Sequence, residues 1–155
     1  IIRSTNVYGA HQQLFKIIPR TMIYLNLGKK IELHGGGKSV KSFVHIKDVV
    51  EGLMKTISGT YFGTYHFSTA NNHSIAEIVA NICKTMGQDF ESSTVTTPER
   101  LGQDDQYILS YAKSEAELEW KAKIPFSEGL NEIFEWIDNN WSVIRKETHT
   151  YIHKP

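Results

Sequence analysis

The sequence predicts an α/β protein. Short runs rich in β-branched and aromatic residues alternate with longer runs whose apolar residues recur every three or four positions. Turns bearing glycine or polar residues separate the two kinds, and 40% hydrophobic content over 155 residues supplies one sizeable core.

Ile1 to Thr5 reads as a strand, followed by a polar turn through Asn6, Gly9 and Gln12. Ile17, Ile18, Thr21, Met22 and Leu25 fall on one helical face, with Gly28 as the stop. Pro19 then lies in the first turn, where its missing N–H costs little. Ile31 to His34 and Ser42 to His45 read as two strands of a hairpin around Gly35, Gly36 and Gly37. Val49, Val50, Leu53, Met54 and Ile57 mark the next helix, with Asp48 as its cap and an end near Gly59. Thr64 to Ser68 is a short strand. Ser74 and Glu77 form a capping box opening a helix to about Met86. Ser93 to Thr97 is a β-rich run closed by Pro98. Ser110 caps a short helix to Leu118, and Ser127 caps the last, with Leu130, Ile133, Phe134, Ile137 and Trp141 along one face. The tail to Pro155 reads as an irregular strap.

Seventeen basic residues balance seventeen acidic ones, so no net field recruits nucleic acid or an anionic membrane. No apolar run approaches the roughly 20 residues of a membrane span. The single cysteine, Cys83, sits in an apolar helical pattern and reads as a buried structural thiol, which fits a reducing, cytoplasmic setting. The seven histidines show no metal-ligand spacing, so no metal is expected. Gly35-Gly36-Gly37-Lys38-Ser39 lets backbone approach an anion, with Lys38 and Lys41 close by; it is not a P-loop, because no helix follows the Lys-Ser.

Arg3-Ser4-Thr5-Asn6-Val7-Tyr8-Gly9, the glycine segment leading to Phe43-Val44-His45, and Pro98-Glu99-Arg100-Leu101-Gly102-Gln103-Asp104-Asp105-Gln106-Tyr107 occur in this order. Together with Ser110-Tyr111-Ala112-Lys113 and Phe126-Ser127-Glu128-Gly129-Leu130 they resemble the C-terminal half of NAD-dependent epimerases and dehydratases. These nucleotide-sugar enzymes are extended short-chain dehydrogenases/reductases, and the resemblance is to the dTDP-glucose 4,6-dehydratase type. It implies the last strands of a Rossmann-type sheet plus a smaller substrate-binding domain. Segments 1–9 and 42–70 would complete the Rossmann-type domain, 10–41 and 71–141 would hold the nucleotide sugar, and 142–155 would be a tail. The NAD-binding half is expected upstream, because neither its glycine fingerprint nor Tyr-x-x-x-Lys occurs here. No catalytic residue is therefore expected in this chain, which is predicted inactive alone; the parent is expected to be a homodimer.

The resemblance also implies substrate-binding residues. Asn6 matches an asparagine that donates its amide to the diphosphate, although an Asx-turn after a strand is an equal reading. Lys16 matches a helix start that covers base and phosphates, or is a solvated lysine. His34 stands where the base pocket is lined, or faces solvent on its strand. Lys41 stands where dehydratases carry an arginine fork; a lysine grips phosphate as a point charge. His66 replaces an asparagine on the nucleotide side, or is a satisfied strand-end histidine. Arg100 and Gln103 would hold phosphate or ribose, with Glu99, Leu101 and Gln103 departing from the dehydratase pattern. In such enzymes hydride leaves sugar C4 for NAD+, the C5 proton is lost, water leaves C6, and hydride returns to C6. The function implied is an NDP-sugar 4,6-dehydratase acting on a nucleoside-diphosphate sugar. A 4-epimerase of the same superfamily and a non-catalytic nucleotide-sugar-binding protein are the alternatives.

Overall fold

The computed structural model describes residues 1–102 and 104–151. Its elements run β1 (Ile2–Ser4), β2 (Asn6–Tyr8), α1 (Ile17–Asn26), β3 (Ile31–His34), β4 (Val40–His45), α2 (Ile46–Ser58), β5 (Tyr65–Phe67) and β6 (Asn72–Ser74). They continue with α3 (Ile75–Thr85), α4 (Phe90–Ser93), β7 (Thr94–Thr97), β8 (Gln106–Tyr107), α5 (Ala112–Leu118), α6 (Phe126–Asn139) and α7 (Trp141–Ile144). Strands and helices alternate, so the α/β expectation holds.

The first strand is broken at Thr5, which is buried and donates its hydroxyl to Ser68 Oγ at 3.3 Å. There the chain changes partners: β1 pairs in parallel with β5, and β2 in parallel with β4. The turn expected at Asn6 begins only after Tyr8. Asn6 belongs to β2 and donates its side-chain amide to the Ser42 carbonyl across the pair, at 3.1 Å.

The expected hairpin between 31–34 and 42–45 does not form. β3 pairs in parallel with β7, in register from Ile31↔Thr94 to His34↔Thr97. β4 pairs with β2 over Phe43–His45, and over its first residues with β6 and β8. Three successive glycines with φ of 58°, 71° and 69° make a single 3-10 turn between them, which hands each strand to a different partner. A Cβ on Gly37 would lie 2.9 Å from the Ala76 backbone nitrogen, so the turn rests directly on the start of α3.

The larger apolar cluster joins α1, α3 and α6 through Ile18, Met22, Ile78, Ile82, Ile133 and Ile137. The Ser74–Glu77 capping box opens α3 as its sequence predicts; Ser74 N–H donates to Glu77 Oε2 at 2.7 Å, and this holds the Glu77 carboxyl below its usual range. Cys83 is buried in this cluster, and burial pushes its thiol up, away from thiolate chemistry.

The smaller cluster is Val44, Tyr65, Phe67, Leu118 and Trp120, so residues 111–122 pack with the 42–70 segment. Helix α2 turns its smallest residue toward it: a Cβ on Gly52 would fall 2.6 Å from the Phe67 ring. Of the apolar row that marks α2 in the sequence, Val49 packs on this cluster and the rest is left outward, with Met54 58% and Ile57 67% exposed.

Three expected caps lie elsewhere. Helix α2 is capped by His45, whose Nδ1 accepts from Lys47 N–H at 3.3 Å, while buried Asp48 in the first turn accepts from Lys123 N–H at 3.1 Å and Ile124 N–H at 3.2 Å. The α5 cap position is Tyr111, with Ser110 Oγ accepting from Ala112 N–H at 3.5 Å. Pro125, already extended, occupies the α6 cap, which places Ser127 inside the helix. The tail begins as the one-turn α7; beyond it buried His149 donates Nε2–H to the Ile144 carbonyl at 2.7 Å, and Tyr151 meets the Phe15 ring. Among the described residues no helix is long and apolar enough to cross a membrane.

Candidate nucleotide-binding cleft

Two adjoining cavities of about 680 and 790 Å³ open along the face formed by β2, β4, the start of α1 and the glycine turn. Lys16, Ile17, Lys41 and Ile75 border both and form their common wall. The first cavity is also bordered by Asn6, Tyr8 and Gly9, and the second by Arg20, Glu32, His34, Gly37 and Arg100.

The topology explains this convergence. β2 and β4 lie side by side, so Asn6 sits opposite Phe43 in the ladder and Lys41 two residues away along β4. Gly9 closes the first cavity against α2, since a Cβ there would lie 2.5 Å from Ile46 Cγ2. Lys16 stands at the cap of α1, with its ammonium 5.4 Å from the centre of the Phe15 ring. The 104–105 segment is laced to β4: Ser39 Oγ and Lys41 Nζ donate to the Asp104 carbonyl at 2.6 and 2.8 Å, and Val40 N–H donates to the Asp105 carbonyl at 2.8 Å. That lacing brings the Arg100 loop to the mouth of the second cavity. Lys41 keeps two further N–H donors, and Asn6 keeps one.

Of the residues singled out in the sequence, Asn6, Lys16, His34, Lys41 and Arg100 thus line the two joined cavities. His66 does not: on β5, its Nδ1 meets the Ser110 carbonyl at 3.0 Å, and it borders neither cavity. Gln103 lies outside the described residues. Arg20 and Glu32 are cavity residues that the sequence reading passed over, although each carried a signal. Arg20 is four residues from Lys16 on one helical face, and Glu32 is two residues from His34 on one strand face. Tyr151 and Thr150 also border the second cavity, with no local pattern in the sequence to place them there.

Four cations, Lys16, Arg20, Lys41 and Arg100, border the second cavity, and among the described residues none is in an ion pair. Anion binding is the chemistry such an array supports. Tyr8 is buried against Phe43, His45 and Phe126, and burial pushes its hydroxyl far above the usual phenol range. It packs and is no base. The Gly35–Gly37 turn runs into strand β4 and not into a helix, so it is no strand–turn–helix cradle for a dinucleotide pyrophosphate. No group of three potential metal ligands is assembled among the described residues.

Beneath the first cavity His45, 1% exposed, uses Nδ1 as an acceptor, which leaves the proton on Nε2; that atom lies 3.8 Å from Glu132 Oε1 and has no hydrogen-bond partner. Glu132 pairs with Lys47, which holds its carboxyl below the usual range. Burial pushes the His45 pKa down, opposed chiefly by Glu132, with Lys47 reinforcing the fall and Asp48 and Glu128 opposing it. The folded state therefore favours neutral His45, whereas the unfolded chain takes up a proton near pH 6.5. Its contribution is complete above that pH and is lost as the pH falls through about 6.5 toward the lower folded value. Thermal melts should show a falling Tm over that interval, with a shallower slope for His45→Asn; an identical slope in the variant would exclude His45 as the source.

Comparison with known proteins fits this geometry. Residues 1–133 match the family model described as GDP-mannose 4,6 dehydratase. The chain is 30% identical over 139 residues to a trifunctional UDP-glucose 4,6-dehydratase, 3,5-epimerase and 4-keto-rhamnose reductase of Arabidopsis thaliana, covering 89% of this chain and 21% of that protein. It is 29% identical over 147 residues to the mouse dTDP-D-glucose 4,6-dehydratase, covering 91% of this chain and 41% of the relative. The fold superposes on the dTDP-glucose 4,6-dehydratase of Streptomyces venezuelae, solved with NAD bound, with a TM-score of 0.86 at 29% identity, covering 92% of this chain and 44% of that one. The chain thus spans less than half the length of each of these relatives. Its matched residues run through both cavities and the strands that build them, and on that basis the chain belongs to the GDP-mannose 4,6-dehydratase family of NAD-dependent epimerases and dehydratases.

Proposed function

We propose that this chain is the nucleotide-sugar-holding part of an NAD-dependent NDP-sugar 4,6-dehydratase, with the diphosphate seated where the two cavities meet. The observation that carries the reading is their common wall: Lys16 and Lys41 border both spaces and form no ion pair among the described residues. A diphosphate there satisfies both ammonium groups with charge-assisted hydrogen bonds. Asn6 adds a neutral donor on the first-cavity side, which takes the hexose. His34 and Arg100 lie on the second-cavity side, which takes the nucleoside. The dehydratase relatives support the reaction class.

On this reading the chain contributes position. Gripping the diphosphate fixes the direction of the hexose and converts an encounter into an oriented complex. NAD and the proton-transferring groups are assigned mainly to residues beyond these 155. Segments 1–9 and 42–70 are assigned to the Rossmann-type sheet, and the whole enzyme is taken to be a homodimer.

Calorimetric titration of nucleoside diphosphates into the whole enzyme tests the site. Lys41→Ala should weaken binding by about 1.5–3 kcal/mol, roughly 10- to 150-fold. The loss should fall on affinity more than on kcat, because the contact is made in ground and transition states alike. The whole enzyme should release a 4-keto-6-deoxy sugar nucleotide. Unaltered diphosphate affinity in Lys41→Ala would overturn the site assignment.

A further inference from the structure

We propose that Glu32 makes this cleft selective for guanine nucleotides by accepting hydrogen bonds from both donors on the outer edge of the base. The inference rests on the nucleotide reading above and names the base that reading leaves open. The matches do not settle that base: the family model is named for a GDP-sugar, the relatives for UDP- and dTDP-sugars.

The first ground is charge. The second cavity is bordered by Lys16, Arg20, Lys41 and Arg100, yet the acidic Glu32 borders it as well. Glu32 is exposed, and among the described residues it makes neither a hydrogen bond nor an ion pair. In a cleft serving phosphate alone, an unpaired carboxylate weakens the attraction for the ligand. It gains a purpose if the ligand carries N–H donors at that end.

The second ground is position along β3. Glu32 and His34 project from the same strand face, about 6–7 Å apart along the strand. The chain then passes through the glycine turn to Lys41. Going away from the diphosphate wall, the order is therefore Gly37 and Lys41, then His34, then Glu32. His34 is tethered at Nδ1 by Thr97 Oγ1 at 2.9 Å and the Pro98 carbonyl at 3.3 Å, which fixes its ring and offers a flat surface to a base. A base lying against His34 with its phosphates at Lys41 extends its outer edge toward Glu32.

The third ground is the chemistry of the bases. Guanine alone among the common bases presents two adjacent donors, N1–H and the 2-amino group, which match the two oxygens of a carboxylate. Uracil and thymine present one N–H between two carbonyl oxygens that a carboxylate repels. Adenine and cytosine set their amino group beside a ring nitrogen acceptor. A site built to pair with donors rejects the analogue that lacks them more strongly than an apolar pocket does.

The test is calorimetric titration of GDP, inosine diphosphate and dTDP into the whole enzyme, as wild type, Glu32→Ala and Lys41→Ala. Inosine diphosphate differs from GDP only in lacking the 2-amino group. We expect wild type to bind GDP at least about tenfold more tightly than either alternative, with Glu32→Ala narrowing that gap to within about threefold. Its dTDP affinity should not fall. Because Glu32 is exposed, the variant should fold, and an unchanged circular dichroism spectrum checks this. Equal or tighter binding of dTDP by wild type, or a GDP preference that survives Glu32→Ala, overturns the proposal. If all three nucleotides bind and Lys41→Ala weakens all of them without any GDP preference, the nucleotide site stands and only the Glu32 assignment falls. If none binds, both fall.

Discussion

Replacing Trp120 with alanine is expected to destabilise the protein by about 3–5 kcal/mol, the range for deleting a buried aromatic side chain. Trp120 is 0% exposed and lies in the smaller cluster with its ring 4.5 Å from that of Phe67 and 6.5 Å from that of Tyr111. A Cβ on Gly52 would come within 2.8 Å of its indole nitrogen, so α2 packs flush against the ring and cannot collapse further into the space it leaves. The indole N–H also donates to the Asp48 carbonyl at 2.8 Å, and its removal leaves that carbonyl without this donor. Urea denaturation measures the effect. Trp120→Phe keeps most of the volume and should lose about 1–3 kcal/mol. A loss below about 1 kcal/mol in the alanine variant would mean that the small cluster is not a cooperative part of the fold.

The second large effect is expected at Asp48, whose carboxylate serves the backbone of a distant loop. Asp48 is 3% exposed, and its two oxygens accept separately from Lys123 N–H and Ile124 N–H. Asp48→Ala strands both donors, each at about 1–3 kcal/mol, for a total of about 2–4 kcal/mol once water recovers part of the loss. Asp48→Asn retains one acceptor and should lose roughly half as much. The consequence reaches the cleft, because Lys123 and Ile124 lead into α6, whose Phe126 packs on Tyr8 and Phe43 at the floor of the first cavity. Asp48→Ala should therefore also weaken nucleotide binding, whereas Trp120→Phe should leave it nearly unchanged. Since Trp120 and Asp48 touch, the double variant should lose less than the sum of the singles.

Helical periodicity and one capping box carried much of the fold. The apolar faces of α1, α3 and α6 meet as their spacing predicts, and the Ser74–Glu77 box opens α3. The row Val50, Leu53, Met54 and Ile57 misleads about α2, because Gly52 and Asp48 occupy its packed side and leave the larger residues outward. Strands β6 and β8 have little β-propensity, and Asn72–Ser74 and Gln106–Tyr107 are strands only because β4 offers them partners. The helical turn at α4 rests on the Asp89 carboxylate accepting from Ser92 N–H at 2.7 Å, an ordinary local cap that the strand-like residues after it mask in the sequence. Of the cleft, Asn6, Lys16, His34, Lys41 and Arg100 were legible through motif order, whereas Glu32 and Arg20 were passed over because same-face spacing alone does not mark a ligand site.

By itself the sequence determined the conformation of the longer helices and of strands β3, β4, β5 and β7, and where three glycines permit a left-handed turn. Partner choice was decided only in the tertiary structure. β3 and β4 stand next to one another in the chain, and nothing local distinguishes a hairpin from strands that part. β3 joins β7 and β4 joins β2 because those pairings let α1 and α3 bury Ile18, Met22, Ile78 and Ile82 against one another. The same divergence opens the space between the two strands' ends that Lys16, Lys41 and Arg100 surround. Burial of apolar surface depends on the whole chain at once, whereas turn and helix preferences act over a few residues, and the cleft is a product of the former.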